Sequence, residues 1–372
     1  MVAADRTRIG RRSLLLAGAG TLAALGAAGC GSGAGVPAPT GPRFDLATAS
    51  DRLIREKPLW YGTLPQSFAF DRVHGHIYVT QAVESDALLP GDREPASTEE
   101  GVSGDLCVNK LDLEGNRLEF MRLKGFGHGV GLGVEVVGGS VYVWTETDVN
   151  PESGYGRALA RTRFTHRAVL TMADEQVAVH NPVPGSTSNQ PSIDPHTGRL
   201  ALRHRRQGQH YYRLFDLADV VRGRYDRPIL EVAETDLTDS DEDVFQGFAL
   251  MGDFVYRLQG TAYTDTLDTD RPPHINPKGS KGNASVSSID LRTGRVVERV
   301  RTEAAWTLDW REPEGIAVDP SGPRLCMGFG GGQGRPWTFT VYTKSTLVPD
   351  RSGQPTAAPS GGGRPSGGAS PS

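Results

Sequence analysis

The chain has 372 residues, with 40 Lys and Arg against 44 Asp and Glu for a formal net charge of −4. A general nucleic-acid binder would carry a basic excess, so the charge argues against nucleic acid as a partner. The length leaves room for one large β-domain between flexible ends.

At the amino terminus, Arg11-Arg12-Ser-Leu-Leu-Leu follows a basic start and leads into a weakly apolar Gly/Ala-rich run ending at Ala28. This reads as an export signal of the twin-arginine kind, too weakly apolar for a membrane span. The run closes with Ala27-Ala28-Gly29-Cys30, which resembles a bacterial lipobox, although Ala27 stands where Leu is usual. Residues 1–30 are therefore expected to be a lipoprotein signal ending at the lipidated Cys30, and residues 31–43 a flexible linker. The domain would sit on the outer face of the cytoplasmic membrane, touching it through the lipid alone; plain secretion is the alternative. Cleavage before Cys30 removes four Arg and one Asp, which deepens the net charge to −7.

Residues 44–348 carry the fold signal. Five times a short apolar strand, opened by a polar residue in every copy but the second, turns tightly and returns as a second apolar strand. The copies are Gln66-Ser-Phe-Ala-Phe-Asp with His-Ile-Tyr78-Val, Val130-Gly-Leu-Gly-Val with Ser-Val-Tyr142, Gln190-Pro-Ser-Ile-Asp with Arg-Leu-Ala-Leu202, Gln246-Gly-Phe-Ala-Leu with Phe-Val-Tyr256, and Glu314-Gly-Ile-Ala-Val-Asp with Arg-Leu-Cys326. The opening residue and the marked apolar residue are 12 apart in four copies and 10 in the fourth, and the copies recur about every 62 residues. Runs such as Cys107-Val-Asn-Lys-Leu-Asp-Leu, Tyr211-Tyr-Arg-Leu-Phe-Asp-Leu and Ser287-Ser-Ile-Asp-Leu supply third strands. The pattern predicts an all-β fold, a five-bladed β-propeller of four-stranded antiparallel blades. Long loops at 83–104, 146–156 and 262–283 account for the long period, and a strand from 44–61 is available to close the ring. The Gly/Pro/Ser tail at 349–372 is expected to be disordered.

First strands of blades line a propeller's channel, so the residues that open them are expected to ring its mouth. These are Gln66, His128, Asn189, Gln190, Gln246 and Glu314, a hydrogen-bonding set suited to the hydroxyls of a neutral polar ligand. The same set also fits mutual hydrogen bonding around a structural channel. Glu314 is the sole acid among them, so a glycosidase-like carboxylate pair is not evident. No phosphate loop, zinc helix or nucleophile elbow occurs, and neither a metal nor a cofactor is expected. Asp239-Ser-Asp241-Glu-Asp243 begins like a calcium loop but lacks its later ligands and reads as a solvated acidic loop. Arg203-His-Arg205-Arg206 reads as an exposed charged strand, with phosphate recognition as the alternative. Cys107 and Cys326 are expected to be buried free thiols. Trp60, Trp144, Trp306, Trp310 and Trp337 are candidates for stacking on sugars, with blade packing expected to account for most of them.

The stretches Trp60-Tyr-Gly-Thr-Leu-Pro-Gln, Lys124-Gly-Phe-Gly-His-Gly-Val, Gly185-Ser-Thr-Ser-Asn-Gln-Pro-Ser, Phe245-Gln-Gly-Phe-Ala and Thr302-Glu-Ala-Ala-Trp-Thr-Leu-Asp-Trp-Arg-Glu-Pro-Glu-Gly-Ile resemble the TagC-like (teichoic acid biosynthesis protein C-like) propellers. A related propeller occurs in the receptor-binding tail proteins of small staphylococcal phages. The resemblance runs over roughly residues 50 to 345 and implies binding of a cell-wall glycopolymer, without a catalytic motif to carry over. The expectation is thus an exported, surface-anchored propeller that binds a teichoic-acid-like glycan without catalysis. The alternatives are a glycan hydrolase or transferase using Glu314, and a scaffold for an unidentified envelope protein.

Overall fold

The computed structural model describes residues 41–83, 104–194, 196–237, 243–264, 276–332 and 336–348. The expected signal with Cys30, most of the expected linker, the expected tail, and the acidic run at 239–242 lie outside the described residues. Five antiparallel sheets form the blades of a propeller. Blade 1 runs outward from Pro65–Asp71 through His76–Ala82 and Leu106–Leu111 to Arg117–Lys124, with the short strand Val169–Thr171 added in parallel at its edge. Blade 2 comprises Gly133–Val137, Ser140–Val149, Gly156–Arg163 and Val177–His180. Blade 3 comprises Thr187–Asp194, Arg199–Arg206, Gln209–Asp216 and Leu230–Ala233. Blade 4 is built from Phe245–Met251, Phe254–Gln259, Ser285–Asp290 and Arg295–Arg301. Blade 5 has Glu312–Asp319, Arg324–Gly331 and Thr338–Lys344, and takes its outermost strand, Asp51–Pro58, from the start of the domain. The pairing Asp51↔Thr343 closes the ring, and Arg43↔Val348 adds a further bridge between the two ends.

Burial grades outward along each blade. Every residue of Phe245–Met251 is buried, and after Gln246 and Gly247 the strand runs apolar through Phe248–Met251. The outermost strand of the same blade, Arg295–Arg301, alternates exposed and half-buried positions with the period of two that a strand imposes. Neighbouring blades meet face to face through apolar clusters. Tyr256, Leu258 and Val286 of blade 4 pack on Met327 and Phe329 of blade 5, and Phe68 and Val79 of blade 1 pack on Phe339 and Val341 of blade 5. Aspartates end three innermost strands and fix the turns that follow. Asp71 Oδ1 accepts the N–H of Val73 at 2.9 Å, Asp194 Oδ1 that of His196 at 2.8 Å, and Asp319 Oδ1 that of Ser321 at 2.9 Å. Cys107 and Cys326 are free and buried, on the third strand of blade 1 and the second strand of blade 5. No helix among the described residues is long and apolar enough to cross a membrane.

Candidate ligand-binding face

The innermost strands all begin on one face of the disc, here called the upper face. Four of the five begin with a break in register: between Pro65 and Ser67, Thr187 and Gln190, Phe245 and Gly247, and Pro313 and Ile316. A bulge places extra residues against one partner, bends the strand and sharpens its twist, which converges the strands on the axis. Glycines allow the convergence. A Cβ on Gly315, at φ 89°, would stand 2.8 Å from the Ser67 Cα, and one on Gly247, at φ 132°, would stand 3.2 Å from the Gly315 Cα. Gly131 meets Gln190 in the same way, at 2.9 Å from its Cβ. The backbones thus touch around the mouth. Below it lies a cavity of only about 20 Å³ lined mostly by apolar side chains such as Leu132, Leu250, Ile316 and Val318, with Ser192 among them.

Gln66, Asn189, Gln190, Gln246 and Glu314 occupy these openings and the close approach buries them, whereas His128, also expected in the ring, lies on the loop five residues ahead of the blade 2 strand that begins at Gly133. Relative exposure is 6% for Gln66, 1% each for Asn189, Gln190 and Gln246, and 0% for Glu314. His128 is half-exposed, its ring tilted on Tyr155 at 5.1 Å between centroids. Buried amides hold backbone: Gln246 Nε2 donates to the Gly260 carbonyl at 2.9 Å, and Asn189 Nδ2 to that of Gly156 at 3.4 Å. Gln190 Oε1 accepts from Arg203 Nη1 at 3.3 Å.

A second set, missed from the sequence, clamps the loops that lead into the innermost strands. Gln81, near the end of the second strand of blade 1, donates from Nε2 to the carbonyls of Tyr61 and Thr63 at 2.7 and 2.8 Å. Gln259 does the same for Asp243 in blade 4, at 3.2 Å. Each lies three residues after a buried tyrosine, Tyr78 or Tyr256, and that recurrence was the available signal. In blade 2 the clamp is Glu146, which accepts the N–H of Gly129 at 2.7 Å and of Gly156 at 2.5 Å and further backbone bonds from His128 and Val130. Gly127 makes room for it, since a Cβ there would lie 2.4 Å from the Glu146 Cγ. Burial pushes the Glu146 carboxyl up to about 7, against the pull of the four N–H groups.

Blade 3 uses charge. Arg203 Nε pairs with Glu234 Oε2 at 2.8 Å, Arg257 pairs with the other oxygen of Glu234, and Phe245 lies 3.8 Å below the Arg203 guanidinium. Burial and then the Arg203 charge lower Arg257 to about 9. Burial, followed by the charges of Arg203 and Arg257, holds the His210 imidazole far below its ordinary value and therefore neutral. The expectation of an exposed charged strand is thus corrected at Arg203 and His204, which are fully buried because the second strand of a blade packs on both faces.

Blade 5 differs. The residue facing the last position before the bulge is Gln81 in blade 1 and Gln259 in blade 4, but Phe329 in blade 5. Arg311 takes over the clamp from the loop itself. Its guanidinium, fully buried 5.2 Å from the Phe329 ring centroid, donates to the carbonyls of Ala304 and Thr302 at 2.9 and 2.7 Å. Loop 302–311 carries Trp306 and Trp310. Of the five tryptophans only Trp144 is packed in a blade core; Trp60 and Trp306 are 39% and 49% exposed, and Trp310 and Trp337 are half-buried. The sequence expectation that blade packing accounts for most tryptophans is therefore corrected. No group of three or more His, Cys, Asp or Glu that could hold a metal ion occurs among the described residues.

The fold and this face define a five-bladed propeller with a rigid, clamped upper surface. The chain belongs to the family of the phage 5-bladed beta propeller receptor binding platform domain, which matches residues 64–335. This agrees with the resemblance read from the sequence. The chain is 23% identical over 281 residues to the putative major teichoic acid biosynthesis protein C of Bacillus subtilis (strain 168), covering 74% of this chain and 57% of that protein. The tail fiber of Staphylococcus aureus phage P68 shares the fold, with a TM-score of 0.56 at 20% identity over 82% of this chain and 52% of the fiber chain. The chain spans little more than half the length of these two relatives.

Proposed function

We propose that the protein is an exported, surface-anchored propeller that binds a teichoic-acid-like glycopolymer of the cell envelope through its upper face, without catalysis. Membership of a receptor-binding platform family carries this reading. The relative named for teichoic acid biosynthesis supports the ligand class. The physical features agree with it: clamped loops are already ordered, so a ligand would bind without the entropy of ordering them. Export and anchoring rest on the twin-arginine run and the cysteine at position 30. A non-catalytic role is supported by Glu314, because a general acid must reach the bond it protonates and this carboxylate has no exposed surface.

The test is retention of the full-length protein on purified Gram-positive cell wall before and after chemical removal of teichoic acid. Retention on intact wall and its loss on stripped wall is the expected result. Equal retention on both, or none on either, would refute a teichoic-acid ligand and leave an envelope protein as the partner to seek. Turnover of wall polymer that disappears in Glu314→Gln would refute the non-catalytic role.

A further inference from the structure

Four of the five tryptophans gather on the loops of the upper face that belong to blade 5 or to the segment joining blade 5 to blade 1. Trp306 and Trp310 lie on loop 302–311, Trp337 on the loop between the second and third strands of blade 5, and Trp60 on the segment joining the ring-closing strand to blade 1. These segments are tied together. The Trp337 N–H reaches the Gly62 carbonyl at 3.4 Å, the Tyr263 N–H donates to the Trp310 carbonyl at 2.8 Å, and the Tyr263 hydroxyl donates to the Trp306 carbonyl at 2.9 Å. Trp310 and Trp337 meet edge to face, with centroids 5.2 Å apart and planes at 64°. Trp310 Nε1 donates to Glu312 Oε2 at 2.8 Å, which fixes a half-exposed carboxylate beside the indoles.

Trp60 stacks on Phe120 of blade 1 at 4.0 Å between centroids, but the Trp310–Trp337 pair with Glu312 has no counterpart among the described residues of the other blades. Flat indoles offer apolar area to the C–H face of a sugar ring, and a held carboxylate accepts hydroxyl hydrogen bonds at the ring's edge. Arg311 makes the surface rigid by fastening loop 302–311 from within. We infer that the Trp310–Trp337 corner with Glu312 is a sugar-stacking subsite, taking a hydroxyl-bearing pyranose unit of the ligand. The inference rests on the glycopolymer reading and gives that ligand a place on the disc, at blade 5 and away from the buried ring around the axis.

Trp337 is the residue to change, because its backbone contact survives substitution. Trp337→Leu keeps apolar bulk and loses the flat ring, whereas Trp337→Phe keeps a ring. Both are compared with the parent by thermal unfolding and by titration with soluble wall teichoic acid released from purified wall. The expected result is binding weakened about tenfold or more by W337L, restored in large part by W337F, at matching unfolding temperatures. Parent-like binding by W337L would overturn the subsite while leaving the glycopolymer reading intact. Absence of binding by the parent protein would overturn both. If W337L does not fold, Glu312→Ala, which removes the acceptor, takes its place, with a loss of binding supporting the subsite and parent-like binding overturning it.

Discussion

Gly315→Ala tests whether the innermost strands truly meet at the mouth. The substitution has two separable costs. A left-handed backbone at φ 89° strains an L-residue by about 1–2 kcal/mol. The new methyl would also stand 2.8 Å from the Ser67 Cα and 3.2 Å from the Phe68 ring, contacts that require blades 5 and 1 to part, at about 1–3 kcal/mol for an overpacked site. The expected loss is therefore about 2–5 kcal/mol, read as the shift in urea midpoint multiplied by the slope. Gly208→Ala supplies the control. It has a similar φ of 83° in a two-residue turn, yet a Cβ there meets nothing within 4 Å, so only the backbone cost applies. Equal losses in the two variants would refute the contact around the axis, because the difference between them isolates it.

Glu146 should make stability depend on pH. Its folded-state carboxyl is raised from 4.5 to about 7, so the folded protein holds that proton more tightly than the unfolded chain. The contribution is complete below about 4.5 and is lost as pH rises through 7, by about 3 kcal/mol. Urea midpoints of Glu146→Gln should lack this part of the slope, and an identical slope in both proteins would locate the titration elsewhere. Burial raises both the Cys107 and Cys326 thiols well above their ordinary range. Neither should react with iodoacetamide until the protein is unfolded; peptide mapping that finds either one labelled in the native state would contradict their burial.

The fold was legible because inward-facing apolar residues must recur wherever a blade recurs. The 12-residue spacing between Gln66 and Tyr78, or Glu314 and Cys326, measures a strand, a turn and a return, lengths that geometry keeps nearly constant. The second copy was harder to place. Val130-Gly-Leu looks like a strand opening, but pairing begins only at Gly133, after a loop folded around Glu146. The candidate site was legible in position and not in exposure. Gln190 and Gln246 do open their strands, yet no sequence rule says that neighbouring glycines will draw the backbones together over them. Arg203 illustrates the same limit, since its burial depends on Glu234, 31 residues away in the chain.

Closing the ring with Asp51–Pro58 ties the completion of the domain to its last-made segment. The partner strand, Thr338–Lys344, lies almost 300 residues downstream, so Asp51–Pro58 waits without its blade until nearly the whole domain has been synthesised. Such a distant pairing places folding among the slow, non-local topologies. It also gives the disc a single seam, where Arg43 sits opposite Val348. Arg43 pairs there with Glu298 and the Phe44 N–H donates to the Tyr256 hydroxyl at 2.9 Å, both on blade 4, so a load applied at the seam would be shared between blades 5 and 4.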